Sequence, residues 1–462
     1  MNVLLLSLYE LGRQPQHLAS PAAALRRSGH DVEVVDLAVD ELDIKSLDRA
    51  DAVAISVPMH TAKRLGDDVT AQIRAYRPEL PIAHYGLYAG IGDGQVRGLI
   101  DAVMMGEYEP ALTEWVATVE TSPAKIKRRT HFVGRSDVVT PDRAGLPSLD
   151  KYGRLEFNGA SVPVGAVEAS HGCRHRCRHC PIPAVYDGRI RIVPQDVVLD
   201  DISQLVEAGA GHITFGDADF FNAPPHSRSI LERAHKAHPE VTFDATVKVE
   251  HILQHRDDWG RLAGQNLLFL VSAFESVDET TLSILDKGHS VDDMALATEI
   301  VREAGMHIRP TWLPFLPWTE TKHMSSLLRF IVEHDLSASI DPVQLAIKLL
   351  IPQGSLLEMH QSVAPYLTAY DPEGLTWRWE FADPEVDILQ KEIEMIAAAA
   401  SDCGQEVTST LASIWAVVAQ RTGNDVGALP NQPTASPRLT ETWFCCAEPT
   451  NTQTTSLQIS RT

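Results

Sequence analysis

Basic charge is what this chain lacks most. Against 62 Asp and Glu it sets only 40 Lys and Arg, a formal net charge of −22. Contacts to a polyanion need clustered cations, so no nucleic acid is expected as a partner. Long apolar runs are missing too. None approaches the roughly 20 residues of a membrane span. The run in residues 1–11 has no basic stretch before it and no small-residue cleavage site after it, so it reads as a strand and no membrane is expected. Cysteine is scarce, with six in 462 residues; three are clustered, which suits a reducing cytoplasm better than a disulfide framework. A GxGxxG phosphate loop is absent as well. What is present is an apolar fraction of 44% and a charged fraction of 22%, as in a globular protein. The length suffices for two or three domains, each burying a core.

The clustered cysteines stand in His171-Gly-Cys-Arg-His-Arg-Cys-Arg-His-Cys180, which gives Cys173, Cys177 and Cys180 a CxxxCxxC spacing. Three thiolates on one short loop can hold three irons of a cubane [4Fe-4S] cluster and leave the fourth open to a small ligand. The same thiols could instead form a structural zinc site, with His171, His175 or His179 as fourth ligand.

Apolar strand patterns at residues 2–8, 32–36, 50–57, 82–85 and 101–105 alternate with helical ones at 20–28 and 66–76. The first third therefore reads as a doubly wound α/β unit with parallel strands. Ligands of such sheets sit at the carboxyl ends of the strands, here residues 8–11, 58–60 and 86–89; a purely structural unit is the alternative. A basic stretch at 125–135 and a Pro/Gly-rich one at 140–153 read as a solvated connector. From residue 162 the alternation resumes, with strands at 164–170, 212–215, 241–246, 267–274, 308–313 and 342–350. Helices at 196–208, 227–237, 292–304 and 321–334 lie between them. Six such units suggest a partial (β/α)6 TIM-type barrel, open on one side, whose chemistry lies at the carboxyl ends of its strands.

The cysteine loop follows the first of these strands. Asp217 and Asp219 follow the second, Lys248 and Glu250 the third, and Ser272, Glu275 and Ser276 the fourth. Arg309 is on the fifth, and Gln353, Gly354 and Ser355 follow the sixth. Residues 383–421 are helical by pattern, with Ile388, Ile393, Ile396, Leu411, Ile414 and Val417 as the apolar face and Cys403 as a small buried residue. After Gly423 the composition is that of a flexible tail. The domains are thus residues 1–124, Rossmann-like; 125–160, a linker; 161–370, the partial barrel; 371–422, a helical extension; and 423–462, the tail.

The cysteine spacing and its setting resemble the radical S-adenosylmethionine (SAM) superfamily, in which SAM chelates the free iron through its amino and carboxylate groups. Ile55-Ser-Val-Pro58, Gly86-Leu-Tyr88 and Met105-Gly-Glu-Tyr-Glu109 resemble the cobalamin-binding-like domain that precedes the barrel in many of those enzymes. Pro141-Asp-Arg-Ala-Gly-Leu-Pro147 resembles the segment joining the two. The DxHxxG motif that supplies a cobalt-ligating histidine is absent, since residues 8–12 contain no histidine. Some radical SAM enzymes hold cobalamin without that ligand, so cobalamin stays open as a third cofactor. Phe274-Glu-Ser276 with Leu285-Asp-Lys-Gly288 resembles the ES...L..KG signature of the cobalamin-associated branch, which implies that Glu275 and Ser276 lie beside SAM. Ile351-Pro-Gln-Gly-Ser355 resembles the P-x-G-S/T turn whose backbone approaches the adenosine part. Asp217 and Arg309 complete the polar groups expected around the cofactor. His179 departs from the pattern, taking the place of an aromatic residue that commonly packs on adenine.

The tail carries Trp443-Phe-Cys-Cys-Ala-Glu-Pro449, which resembles a radical SAM group recognised by a CCAEP or selenocysteine-containing CUAEP tail. The resulting expectation is a radical SAM enzyme with a [4Fe-4S] cluster on Cys173, Cys177 and Cys180, acting on a small-molecule substrate. Its electron donor would be a protein such as flavodoxin or ferredoxin. Cys445 and Cys446 are expected to act in catalysis, by chelating a thiophilic centre, arsenic or selenium, or by quenching a product radical. The alternatives are a cobalamin-dependent radical SAM methyltransferase, a non-enzymatic metal-binding protein, and a tail whose cysteines are incidental.

Overall fold

The computed structural model describes residues 1–92, 98–122, 125–430 and 435–440. Its first unit is built on a parallel sheet of β1 (Asn2–Ser7), β2 (Asp31–Asp36), β3 (Ala52–Ser56), β4 (Ile82–Tyr85), β5 (Ala102–Gly106) and β6 (Arg129–Phe132). The spatial order is β2-β1-β3-β4-β5-β6. β1, β3, β4 and β5 are nearly continuous apolar runs because helices cover both faces. Leu4, Leu5 and Leu6 are fully buried, each contributing about 1.5–3 kcal/mol over exposure. β6 corrects the reading of residues 125–135 as a solvated connector. Arg129 to Phe132 pair with Val103 to Gly106, and a charged strand at a sheet edge discourages further pairing.

The second unit starts with a hairpin of β7 (Arg154–Phe157) and β8 (Ala160–Val167). β9 (Ser170–Gly172) and β10 (Ile190–Ile192) pair on either side of the cysteine loop. β11 (His212–Phe215), β12 (Thr242–Thr246), β13 (Leu267–Glu275) and β14 (His307–Trp312) extend β8 in parallel, as a curled half-barrel with helices outside. The barrel reading holds, but the sixth strand, read at 342–350, is a 3-10 turn over Pro342–Ala346 followed by one bridge from Lys348 to Phe315. Pro342 has no N–H to give a ladder and its fixed φ favours the turn.

β15 (Leu367–Asp371) and β16 (Thr376–Trp379) make a hairpin, and helices Pro384–Cys403 and Val407–Thr422 close over the barrel. Val386, Leu389, Ile393, Leu411, Ile414 and Val418 enter the barrel core. The expected apolar face is therefore rotated, and Ile388 lies exposed. Cys403, expected to be buried, is exposed, because it ends its helix against the left-handed cap of Gly404. Part of the expected free tail is fixed: β17 (Arg438–Leu439) adds antiparallel to β7, and Arg309 donates to the Pro437 carbonyl at 2.7 Å.

Arg143, in the segment between the units, joins them. Its buried guanidinium meets both oxygens of Asp201 at 2.6 and 2.8 Å. It also reaches Gln14 Oε1 at 2.9 Å, Gln16 Oε1 at 2.8 Å and the Ala166 carbonyl at 2.8 Å. Arg143→Met leaves Asp201 buried without a cation, so chemical denaturation should show a loss of about 3–5 kcal/mol. A loss below about 1 kcal/mol, the scale of a surface pair, would rule out a bracing role.

Candidate functional site

The cysteine loop leaves β9 through Gly172, whose φ of +77° and position make it irreplaceable: a Cβ there would sit 2.4 Å from the Arg189 carbonyl oxygen and 2.7 Å from the Tyr186 ring. From below, Asp217 accepts from the Ala169 amide at 2.9 Å and the Ser170 hydroxyl at 2.6 Å. Burial pushes the Asp217 carboxyl up to about 7 despite those donors. It braces the approach to the loop and is not on the cavity wall where a cofactor was expected to meet it. Arg178 donates to the Ser283 and Ile284 carbonyls at 3.1 and 2.7 Å, and its amide donates to the Leu285 carbonyl at 2.9 Å. The loop is thereby pinned to the end of a neighbouring helix.

Cys173, Cys177 and Cys180 all line one cavity of about 410 Å³, within the size range of small-molecule sites, about 300–1,000 Å³. The cavity runs inside the barrel, from Val164, Asp244 and Phe269 within the strands to the cysteine loop at their carboxyl ends, and Leu11, Gly12, Arg13 and Tyr88 of the first unit also line it. Burial pushes the Cys173 thiol up, a state that metal ligation reverses by taking the proton's place. The three loop histidines each turn to a different carboxylate. His171 Nδ1 is 2.9 Å from Glu107 Oε2, His175 Nε2 is 3.5 Å from Asp219 Oδ2, and His179 Nε2 is 3.0 Å from Glu275 Oε1. A tetrahedral zinc site would need one of them released.

Glu275, at the end of β13, is a non-glycine residue at φ +66°, a strained conformation typical of functional positions. Its Oε1 accepts from His179 and, at 3.2 Å, from Lys287 Nζ. Burial alone would raise its pKa, but the Lys287 ammonium and then His179 override this and hold the carboxyl well below the usual range. Glu275, His179 and Arg309 are on the cavity wall. Arg309 spends its second nitrogen on Asp341 at 2.9 Å. Ser276 faces away, its hydroxyl accepting from the Asp278 amide at 3.1 Å. Gln353 and Gly354 are exposed, and Ser355 touches the cysteine loop at the Arg178 carbonyl, 3.5 Å away. Of that turn Pro352 meets the cavity. Cys445 and Cys446 lie outside the described residues.

Among the described residues, His179 Nδ1, Trp312 Nε1 and Gln344 Oε1 are buried polar atoms without a hydrogen-bond partner. All three belong to residues lining the cavity. Orphaned buried polar atoms carry a desolvation cost that a polar ligand relieves. Three thiols together with unmet donors and acceptors in one cavity fit a cluster with a SAM-like molecule. Asn222, whose side-chain oxygen accepts from the Arg174 amide at 3.2 Å, and His251, beside Asp219, were not legible in sequence, because only the strand order brings them to the loop.

At the strand ends of the first sheet, Tyr9, Met59, Ala62 and Tyr88 pack together with Leu87 and Ile91, and His60 Nε2 is 2.9 Å from the Gly374 carbonyl. These residues do not fit a histidine-ligated cobalamin. Titration with hydroxocobalamin should therefore give no spectrum of protein imidazole on cobalt, and such a spectrum would contradict this reading.

Residues 167–328 match the radical SAM superfamily. The chain is 25% identical over 317 residues to the hopanoid C-3 methylase of Methylococcus capsulatus, covering 64% of this chain and 60% of that protein. It is 22% identical over 248 residues to the hopanoid C-2 methylase of Rhodopseudomonas palustris, covering 52% and 45%. This chain thus spans about half to three fifths of the length of these two relatives. Among solved structures it resembles the cobalamin-dependent SAM radical enzyme OxsB with aqua-cobalamin and SAM bound, at TM-score 0.63 and 14% identity over 87% of this chain and 66% of that one. It also resembles the radical SAM methyltransferase TsrM of Kitasatospora setae, with cobalamin and a [4Fe-4S] cluster bound, at TM-score 0.57 and 16% identity over 72% and 73%.

Proposed function

We propose that this chain, a radical SAM protein with a cobalamin-binding-like first domain, is an enzyme that cleaves SAM reductively and uses the resulting radical to modify a small molecule. The observation that carries the reading is the single cavity shared by Cys173, Cys177 and Cys180 with unpartnered polar atoms of His179, Trp312 and Gln344. Cys173, Cys177 and Cys180 would hold a [4Fe-4S] cluster, which would supply the electron for SAM cleavage, drawn from a donor such as flavodoxin or ferredoxin. The chain's residues hold and shield the reactants. Lys287 and His179 keep Glu275 ionised, ready to accept a hydrogen bond from SAM, while Leu11, Val164 and Phe269 give the cavity apolar walls that exclude water.

The substrate we favour carries a thiophilic centre, trivalent arsenic or selenium, that Cys445 and Cys446 hold, because vicinal thiolates chelate soft elements. Leu439 lines the same cavity as the three cluster cysteines, and Cys445 follows it by six residues, at most about 20 Å of chain. A second reading is a cobalamin-dependent radical methyltransferase, favoured by the similarity to the hopanoid methylases. Turnover of arsenite or selenite with SAM, followed by mass spectrometry, tests the first. Cys445→Ser and Cys446→Ser should lose product while the cluster forms and SAM is still cleaved. Full turnover by a chain ending before Trp443 would refute a role for the pair.

A further inference from the structure

Beside the cysteine loop, three neighbouring strand ends bring two imidazoles and a carboxylate together. His175 comes from the loop itself, Asp219 from the turn after β11, and His251 from the short helix Val249–Gln254 after β12. One ligand atom of each lies within 4.8 Å of the others. Asp219 Oδ2 is 2.8 Å from His251 Nδ1 and 3.5 Å from His175 Nε2. All three atoms are buried, yet none makes a hydrogen bond of acceptable geometry. Buried polar atoms this close together without a well-aimed proton between them carry a desolvation cost that a bound cation would relieve. Ligands about 2.0–2.1 Å from one metal ion stand about 2.9–3.4 Å apart, between octahedral and tetrahedral angles. The two contacts fall close to those limits.

We propose that His175 Nε2, Asp219 Oδ2 and His251 Nδ1 form a binding site for a divalent first-row transition-metal ion, distinct from the iron cluster. Two imidazoles and one carboxylate suit Zn²⁺, Fe²⁺ or Co²⁺. The other Asp219 oxygen accepts from the Phe221 amide at 3.0 Å, an outer contact of the kind that orients a metal ligand. His175 Nδ1 has Lys248 Nζ at 3.1 Å and Glu250 Oε2 at 3.7 Å. With metal on Nε2 the proton sits on Nδ1 and points to Glu250, and Lys248 turns to the same carboxylate, 3.6 Å from it. Lys248 is thus a nearby cation that opposes the ion, and Lys248→Met should tighten binding. Because His175 and Asp219 are on the cavity wall, the remaining coordination positions face the substrate and suit an oxygen donor, a carboxylate or an oxyanion.

None of the three ligands is a cysteine, so the site can be tested in a chain that holds no cluster. In the full chain with Cys173, Cys177 and Cys180 changed to Ala and Cys445 and Cys446 to Ser, Co²⁺ titration should show one ion per chain. Weak d–d bands are expected, without the near-ultraviolet thiolate charge-transfer band. Asp219→Asn or His251→Gln in that background should weaken binding more than about tenfold. No binding by a protein whose circular dichroism is unchanged, or binding indifferent to both substitutions, would overturn the proposal. If the cysteine-free chain does not fold, zinc content decides in the cluster-loaded protein: one zinc per chain beyond the iron, lost in His251→Gln, is expected. Equal zinc in both proteins, or none in either, contradicts the site.

Discussion

Alanine at any one of Cys173, Cys177 and Cys180 is expected to abolish the broad visible absorption and the reduced-state EPR signal of the anaerobically reconstituted protein. Three ligands already leave one iron open, so a two-thiolate remnant would have two. None of the three loop histidines stands ready to replace a lost thiolate, since His171 and His179 are engaged with Glu107 and Glu275, and His175 faces Asp219. Cys403 is exposed at a helix end and is not on the cavity wall, so Cys403→Ala should leave both signals intact. A wild-type protein that takes up only zinc under these conditions would contradict a cluster site.

Lys287→Met should destabilise the protein on the same scale as Arg143→Met, and with a pH dependence that identifies its cause. Lys287 is buried, with 3% of its side chain exposed, and its ammonium is the principal cation on the buried Glu275 carboxylate. Removing it strands that charge, at a cost of about 3–5 kcal/mol. The pH dependence has a definite sign. A carboxyl held below its ordinary pKa contributes stability that is present above about pH 4.3 and is lost as the pH falls toward the folded-state value. The difference between wild type and Lys287→Met should therefore be largest near neutrality and shrink under acid. Denaturant unfolding at pH 7 and pH 3 measures both values, and a difference independent of pH would remove Glu275 as its source. Glu275→Ala should weaken SAM binding by about 1.5–3 kcal/mol through loss of a charge-assisted hydrogen bond; unchanged affinity would count against its place beside SAM.

The parallel strands were legible because burial on both faces demands unbroken apolar runs, as in Leu4 to Leu6 and Val53 to Ile55. The cysteine loop was legible because its spacing is local. Elements that owe their existence to partners were not. β6 is a basic edge strand, β17 is two residues long and exists by pairing with Leu155 and Glu156, and residues 342–350 obey Pro342 before their apolar pattern. Within the site, Glu275 and His179 line the cavity, and Lys287 falls inside the same motif as Glu275. Asp217 and Ser276 have the right sequence neighbours but spend their oxygens on local backbone and hydroxyl donors. His251 carries no local signal, because its partners arrive from two other strand ends.

The most direct test is single-turnover mass spectrometry of the reconstituted, dithionite-reduced protein with SAM. The expected result is 5′-deoxyadenosine or another SAM fragment, formed with wild type and absent in the Cys177→Ala variant. Intact SAM after full reduction of a cluster-loaded protein would contradict the reading of this cavity as a radical SAM site.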